Sequence, residues 1–300
     1  MKIKKVEMLH ADAGWRPWSF IKLTTDDDII GWSECTDSNS SPSSMSGCVF
    51  DLEPLLLDKD PNKVLSIIEM LRSRTRQSPS GIIHKVIAGI ENALWDIKAK
   101  SMGIPVYELF GGPVRQEIEC YWSHCGTSRV RASDLIEKPR IKEYADLDQL
   151  AKEVLESGFK AVKTNIALLG NNPHIYMPGF DKSPGGPELN LSKKLLGDIR
   201  NWISYFRSAL GEEINILLDL NFNFKTEGYK TICKALEDYD LSWIEIDSYD
   251  PLALLEIKNS VSQSIASCEN LYGLREFRPF FNSRSMDIAI IDVIWNGMSA

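Results

Sequence analysis

From about residue 114 onward the chain alternates short, β-rich apolar runs with amphipathic helical stretches, and this constrains its fold more than any other feature. The runs are Ile118–Trp122, Ala161–Ile166, Ile214–Leu220, Leu241–Ile246, Ser264–Cys268 and Ile288–Ile294, with helical stretches such as Leu147–Glu156, Ser192–Ala209 and Gly228–Tyr239 between them. Strands buried on both faces and separated by helices imply a parallel sheet, because parallel neighbours need a crossover connection. The later strands recur about every 24 residues, the spacing of minimal βα units in a barrel. One interval is longer and holds the insertion Leu169–Leu189, rich in Gly, Pro and Asn, which is expected to be an active-site loop.

The residues before this point read differently. KIKKVEMLHA alternates at period two, and FIKLTT pairs with IIGWSEC across Asp26-Asp27-Asp28, which together predict a meander. The Ser-rich segment Thr36–Ser46 reads as a surface loop. Helices follow over Lys63–Arg74 and Ile83–Ala99, the second with Val86, Ile87, Ile90, Leu94 and Ile97 on one face. A chain of 300 residues accommodates two domains, or one barrel with an appendage. The division expected is an α+β domain over residues 1–113 and a (β/α) barrel over 114–300.

A barrel of this kind does its chemistry at the C-terminal ends of its strands. Asp219, Glu245, Glu269 and Asp292 stand there, at successive intervals of 26, 24 and 23 residues. Any one of them alone is explained as a cap on the following helix. A registered series is not, because it projects four acids into one mouth, where their mutual repulsion is relieved by a hard divalent cation such as Mg²⁺. With 34 basic and 42 acidic residues the net charge is −8, which argues against general nucleic-acid binding. The N-terminus lacks the apolar core of a signal peptide, and no stretch is apolar enough for a membrane span. Six scattered cysteines without a CxxC pair read as free thiols in a reducing compartment. The expected location is the cytoplasm, with no nucleic-acid or membrane partner.

The segment IENALWDIKAKSMGIPVYELFGG (90–112), the strand end FKAVKTN and the Asp/Glu/Glu series together resemble the mandelate racemase and muconate-lactonizing group of the enolase superfamily, over the whole of residues 1–300. The resemblance implies an enolase-type (β/α) barrel preceded by an α+β capping domain that acts as a substrate lid. It implies Mg²⁺ held by Asp219, Glu245 and Glu269, and an ene-diolate formed when a base removes the proton α to a carboxylate. Lys163 and Asp292 are the catalytic candidates. Trp15, Arg16, His124, His174, Asn165 and Asn221 are the candidate substrate contacts, with Arg16 suited to a second carboxylate or a polyol.

Two departures from the family pattern bear on function. Racemases of the group carry Lys-x-Lys on the second strand, whereas this chain has Lys163-Thr164-Asn165, and Asn165 accepts no proton at neutral pH. Asp292 matches an acid that orients a histidine on the seventh strand, yet no such histidine precedes Ala300. Only about six strands of eight are accounted for, so the barrel is read as C-terminally truncated. A lone base fits β-elimination of water from an acid sugar, an aldonate or aldarate, better than racemisation. The alternatives are a racemase, epimerase or cycloisomerase of the same superfamily, and an inactive barrel that still binds metal. The expected partners are a small carboxylate substrate and further copies of the chain.

Overall fold

The computed structural model describes residues 1–36, 41–178 and 190–299. It separates into two compact units. The first comprises Met1–Glu117, Leu271–Phe277 and Ile291–Ala300; the second comprises Ile118–Asn270 and Arg278–Ile290.

The first unit begins with a three-stranded antiparallel meander, β1 (Ile3–Asp12), β2 (Pro17–Thr25) and β3 (Ile30–Glu34). Along β2, alternate residues Ser19, Ile21, Leu23 and Thr25 are buried, as the period-two pattern requires. Helices α1 (Pro42–Leu56), α2 (Val64–Arg74) and α3 (Ile82–Met102) supply the rest of its core, with Met45, Leu56, Ile68, Leu71, Ile90, Leu94 and Ile97 fully enclosed. Helix α3 lies so close to β3 that a Cβ on Gly31 would run into the Ala93 carbonyl oxygen. The expected loop Thr36–Ser46 is in part helix. Residues 42–46 open α1, because Met45, Val49, Leu52 and Leu56 form a stripe at helical spacing and Pro42 suits a first turn. Residues 37–40 of that loop lie outside the described residues.

The chain's last segment also packs in this unit. Asn92 Nδ2 donates to Val293 O at 3.0 Å, Trp295 Nε1 to Thr36 O at 3.0 Å, and Ser299 N to Glu91 Oε1 at 2.7 Å. Lys85 Nζ sits 4.1 Å above the Trp295 ring. These contacts give Asn92 Nδ2 and Glu91 Oε1 partners from the end of the chain.

The second unit is a partial (β/α) barrel. Its helices are α4 (Thr127–Arg131), α5 (Leu147–Ser157), α6 (Lys193–Leu210), α7 (Thr226–Ala235) and α8 (Pro251–Lys258). Its strands β4 (Ala161–Asn165), β7 (Asn215–Asp219), β8 (Leu241–Glu245), β9 (Ile265–Ser267) and β10 (Ile288–Ala289) form one parallel sheet in the order β10-β9-β8-β7-β4. The insertion after β4 contributes a small hairpin of β5 (Ala167–Leu168) and β6 (His174–Ile175), and its residues 179–189 lie outside the described residues. Helix α6 buries Leu195, Ile199, Trp202, Ile203 and Phe206 on one face. Helices α9 (Gly273–Ser283) and α10 (Val293–Asn296) complete the chain.

Two expected strands are shorter than the sequence suggests. Of Ile118–Trp122 only Trp122 pairs, as an isolated parallel bridge to Val162. Ile118 is 78% exposed, and with acidic Glu117 and Glu119 beside it the segment has no apolar face to bury. Of Ile288–Ile294 only the first two residues are strand. The Asp292 carboxylate accepts from Ile294 N at 2.9 Å and starts α10, so the apolar residues after it follow a helix.

Candidate functional site

The register of the parallel sheet brings the acids together. Asn165 pairs with Asp219, and Asp219 with Glu245, so the three form a row across β4, β7 and β8 at the C-terminal ends of the strands. One pleat earlier, Lys163 pairs with Leu217 and Leu217 with Trp243. Side chains two apart share a face, so Lys163 points the same way as Asn165.

Lys163 reaches from β4 past β7 to β8. Its Nζ donates to Glu245 Oε2 at 2.7 Å and lies 3.8 Å from Asp219 Oδ2. All three side chains are buried, Glu245 completely. Tyr121 stands beside them, with its ring 5.8 Å from Lys163 Nζ and edge-on to Trp243 at 5.7 Å. Asp219 Oδ1 accepts from both Asn221 N at 2.9 Å and Asn221 Nδ2 at 2.7 Å. Asn165 is fully engaged on the other side of Asn221, through Thr127, Asn221 Oδ1 and the Asp219 carbonyl.

The electrostatics follow from burial. Desolvation, with Asp219 and Glu269 close by, pushes the Glu245 carboxyl up to about 9 despite the lysine. Asp247, two residues on, is pushed up to about 8 by burial and by Asp219 and Glu269. Asp219 is also raised by burial, against the opposing pull of Lys163 and its asparagine donors. Burial disfavours the Lys163 ammonium, but Asp219 and Glu245 outweigh it and hold the group charged. One ammonium thus faces four carboxyls.

The residues suit a hard divalent cation. The donors are all carboxylate oxygens, the preferred ligands of Mg²⁺. Glu245 Oε1 is buried without any hydrogen-bond partner, a costly state that a cation would relieve. With Lys163 bridging Asp219 and Glu245, no three His, Cys, Asp or Glu side chains among the described residues converge tightly enough to hold an ion as they stand.

The other sequence candidates lie on further segments of the chain. Asp292 belongs to the first compact unit, where it caps α10. Trp15 and Arg16 belong to that unit too, with the guanidinium 4.5 Å above the indole and Arg16 Nε buried without a partner. His124 follows Trp122 with φ at 54° and lies 3.2 Å through Nδ1 from Ser123 Oγ. His174, on β6, contacts Asn172 O through Nδ1 at 2.9 Å and lines a cavity of about 270 Å³ with Arg131 and Arg140. Sequence reasoning missed Asp247, although WIEID places it two residues beyond Glu245 and hence on the same face. It also missed Tyr121 and Thr127, for which the sequence carries no distinguishing signal. Among the described residues none of the six cysteines is in a disulfide, and burial pushes the Cys125, Cys233 and Cys268 thiols up to about 12. Among the described residues no helix is long and apolar enough to cross a membrane.

Comparison with known proteins gives these features a context. Residues 5–111 match the mandelate racemase/muconate lactonizing enzyme N-terminal domain, and residues 146–299 match the enolase C-terminal domain-like family. The chain is 27% identical over 285 residues to D-galactonate dehydratase of Variovorax paradoxus (strain S110), covering 91% of this chain and 64% of that enzyme. It thus spans less than two thirds of that relative's length. A protein of Burkholderia xenovorans strain LB400, described as an L-alanine-DL-glutamate epimerase, has a crystal structure that matches at TM-score 0.93 and 39% identity, over 99% of this chain and 75% of that one. A second crystal structure of that description, bound to magnesium and fumarate, matches at TM-score 0.93 and 40% identity, over 99% and 73%. Two family models across both parts of the chain, with the buried Lys/Asp/Glu row at the strand ends, make one conclusion plain: the chain belongs to the mandelate racemase/muconate lactonizing enzyme group of the enolase superfamily.

Proposed function

We propose that this chain carries the site of a Mg²⁺-dependent lyase that removes the α-proton of a carboxylate and eliminates water from an acid sugar. One observation carries the reading: Lys163 is held charged against Glu245 and Asp219, with Glu245 Oε1 left unsatisfied beside it. Asp219, Glu245 and Glu269 are the residues that would hold the ion. When bound, Mg²⁺ supplies Lewis-acid stabilisation of the negative charge that builds on the substrate carboxylate.

The chain's own residues supply charge and substrate contacts, and a base for the α-proton and an acid for the leaving hydroxide complete the elimination. The Lys163 ammonium is a fixed cation in a water-poor site, where it stabilises developing negative charge far better than it would in water. Asn165 has no proton-accepting group, so this strand end supplies no base, a loss that bears on racemisation, which needs bases on both faces, more than on elimination, which needs one. The substrate contacts proposed are Arg16, Trp15, His124 and His174, with residues 1–113 acting as lid and 114–300 as barrel. The dehydratase relative supports an aldonate or aldarate as substrate.

A second reading, epimerisation at the α-carbon, draws on the closer sequence identity of the Burkholderia proteins. The two separate on incubating the protein with Mg²⁺ and a panel of acid sugars and amino-acid dipeptides in D₂O. Release of an α-keto acid supports dehydration. α-Deuterium incorporation without net product supports epimerisation, and silence with Mg²⁺ bound leaves a metal-binding barrel without turnover.

A further inference from the structure

We infer that Thr127 and Asn165 act together as positioning residues that set the metal affinity of Asp219. The inference rests on the proposed Mg²⁺ site. Neither residue is placed to touch the ion; their effect runs through the contacts of Asn165 with Asn221 and with Asp219 itself.

Thr127 is the first residue of α4 and is completely buried. Its hydroxyl makes a reciprocal pair with one residue, accepting from Asn165 N at 3.2 Å and donating to Asn165 Oδ1 at 3.1 Å. That donation fixes which end of the Asn165 amide faces which way. With Oδ1 held by the hydroxyl, Nδ2 points to Asn221 Oδ1 and the Asp219 carbonyl, each at 3.5 Å. A flipped amide would leave the hydroxyl proton unmatched and set its own oxygen against two other acceptors.

The same logic passes to Asn221. Its Oδ1 faces the Asn165 donor, so its Nδ2 faces Asp219 Oδ1 at 2.7 Å, and its backbone N–H joins at 2.9 Å. Tyr229 holds the backbone in place by donating to Asn221 O at 2.6 Å. Two donors saturate Asp219 Oδ1 and turn Oδ2 toward Lys163 and the other carboxylates. The carboxylate therefore presents one prepared oxygen. Groups that orient metal ligands in this way commonly govern affinity as strongly as the ligands' own surroundings do.

Thr127 itself is anchored from behind. Gly126 has φ at 78°, and a Cβ there would lie 3.0 Å from Phe206 and 3.1 Å from Trp202, so the turn into α4 rests directly on α6. The geometry makes this relay a feature of the folded barrel and not of any one strand.

The test is Mg²⁺ titration of the full chain by isothermal calorimetry, with thermal melting in EDTA run in parallel. Outer-shell changes cost about 10–100-fold in metal affinity, and Thr127 stands one bond further out with 3.5 Å links, so T127V is expected to weaken Mg²⁺ binding by roughly three- to tenfold. T127S, which keeps the hydroxyl, restores affinity to within about twofold of the parent. N165L, which removes the amide, weakens binding at least as much as T127V. A merely structural threonine would lower the melting temperature of T127V and leave its Mg²⁺ affinity at the parental value, and that result overturns the inference. Failure of T127S to restore affinity overturns it as well. If the parent protein itself binds no Mg²⁺, the metal reading falls and takes this inference with it, a result distinct from unchanged affinity in the variant.

Discussion

Replacing Lys163 with methionine tests whether the buried ammonium holds the carboxylate row together. Its Nζ lies 2.7 Å from Glu245 and 3.8 Å from Asp219. At an effective dielectric near 20, these separations correspond to gross attractions of about 6 and about 4 kcal/mol. Most of that is offset by the cost of desolvating the three groups, and breaking a buried pair typically costs about 3–5 kcal/mol net. Burial and the neighbouring acids already push the Glu245 carboxyl up, so in K163M a proton replaces the ammonium as its partner, which places the expected loss at the low end, about 3 kcal/mol. For a chain of this size that corresponds to a fall in melting temperature of about 6–12 °C in EDTA, read by calorimetry or circular dichroism. Mg²⁺ then finds carboxylate oxygens no longer shared with an ammonium, so millimolar Mg²⁺ raises the melting temperature of K163M more than that of the parent. In the proposed lyase, turnover falls by about 10²–10³-fold or more, because a preorganised cation is lost from beside the substrate carboxylate. A K163M protein that melts with the parent in EDTA and responds to Mg²⁺ no differently would refute the placement of Lys163 inside the carboxylate row.

Other outcomes follow from separate parts of the molecule. Gly126→Ala combines a backbone at φ 78° with a Cβ pressed against Phe206 and Trp202, so urea unfolding should show a loss of about 2–3 kcal/mol; a neutral result would mean that α4 moves freely on α6. Asp292→Asn keeps a good helix cap, and because the proposed chemistry runs through Lys163, turnover should stay within about threefold of the parent; a loss beyond about 100-fold would assign Asp292 to the reaction. His84 gives a pH dependence. Burial, aided by Arg72, lowers its folded pKa below the ordinary value, so the unfolded chain binds the proton more tightly. Its contribution is therefore complete above about pH 6.5 and is lost as pH falls from there toward the depressed folded value. Thermal melts from pH 8 down to pH 5 should show that loss in the parent, and H84F should flatten it. An unchanged slope in H84F would place the acid sensitivity in other groups.

Much of this protein was legible before any coordinates. Period-two and helical stripes give the meander, α2, α3 and α6 to within about three residues at each end, since each pattern reflects one buried face. The registered acids at Asp219 and Glu245 were equally plain, because parallel strands of equal βα length end at one level and set their last side chains in a row. Asp247 is legible too, since WIEID places it two residues past Glu245.

What the sequence left open depends on groups far apart in the chain. Only the folded barrel shows Lys163 of β4 reaching Glu245 of β8, because a side chain's reach past an intervening strand is set by sheet twist and packing, not by spacing. Asn165 reads in the sequence as a substituted base with a free amide; in the fold, Thr127 and Asn221 occupy both ends of it. The apolar run after Asp292 looks like strand, and its capping carboxylate with its contacts to Asn92 and Thr36 makes it helix in the first compact unit. Local propensity thus chose the elements and their acids, while contacts far apart in the chain, such as Thr127 with Asn165 and Trp295 with Thr36, decided how the amide of Asn165 and the last helix are held.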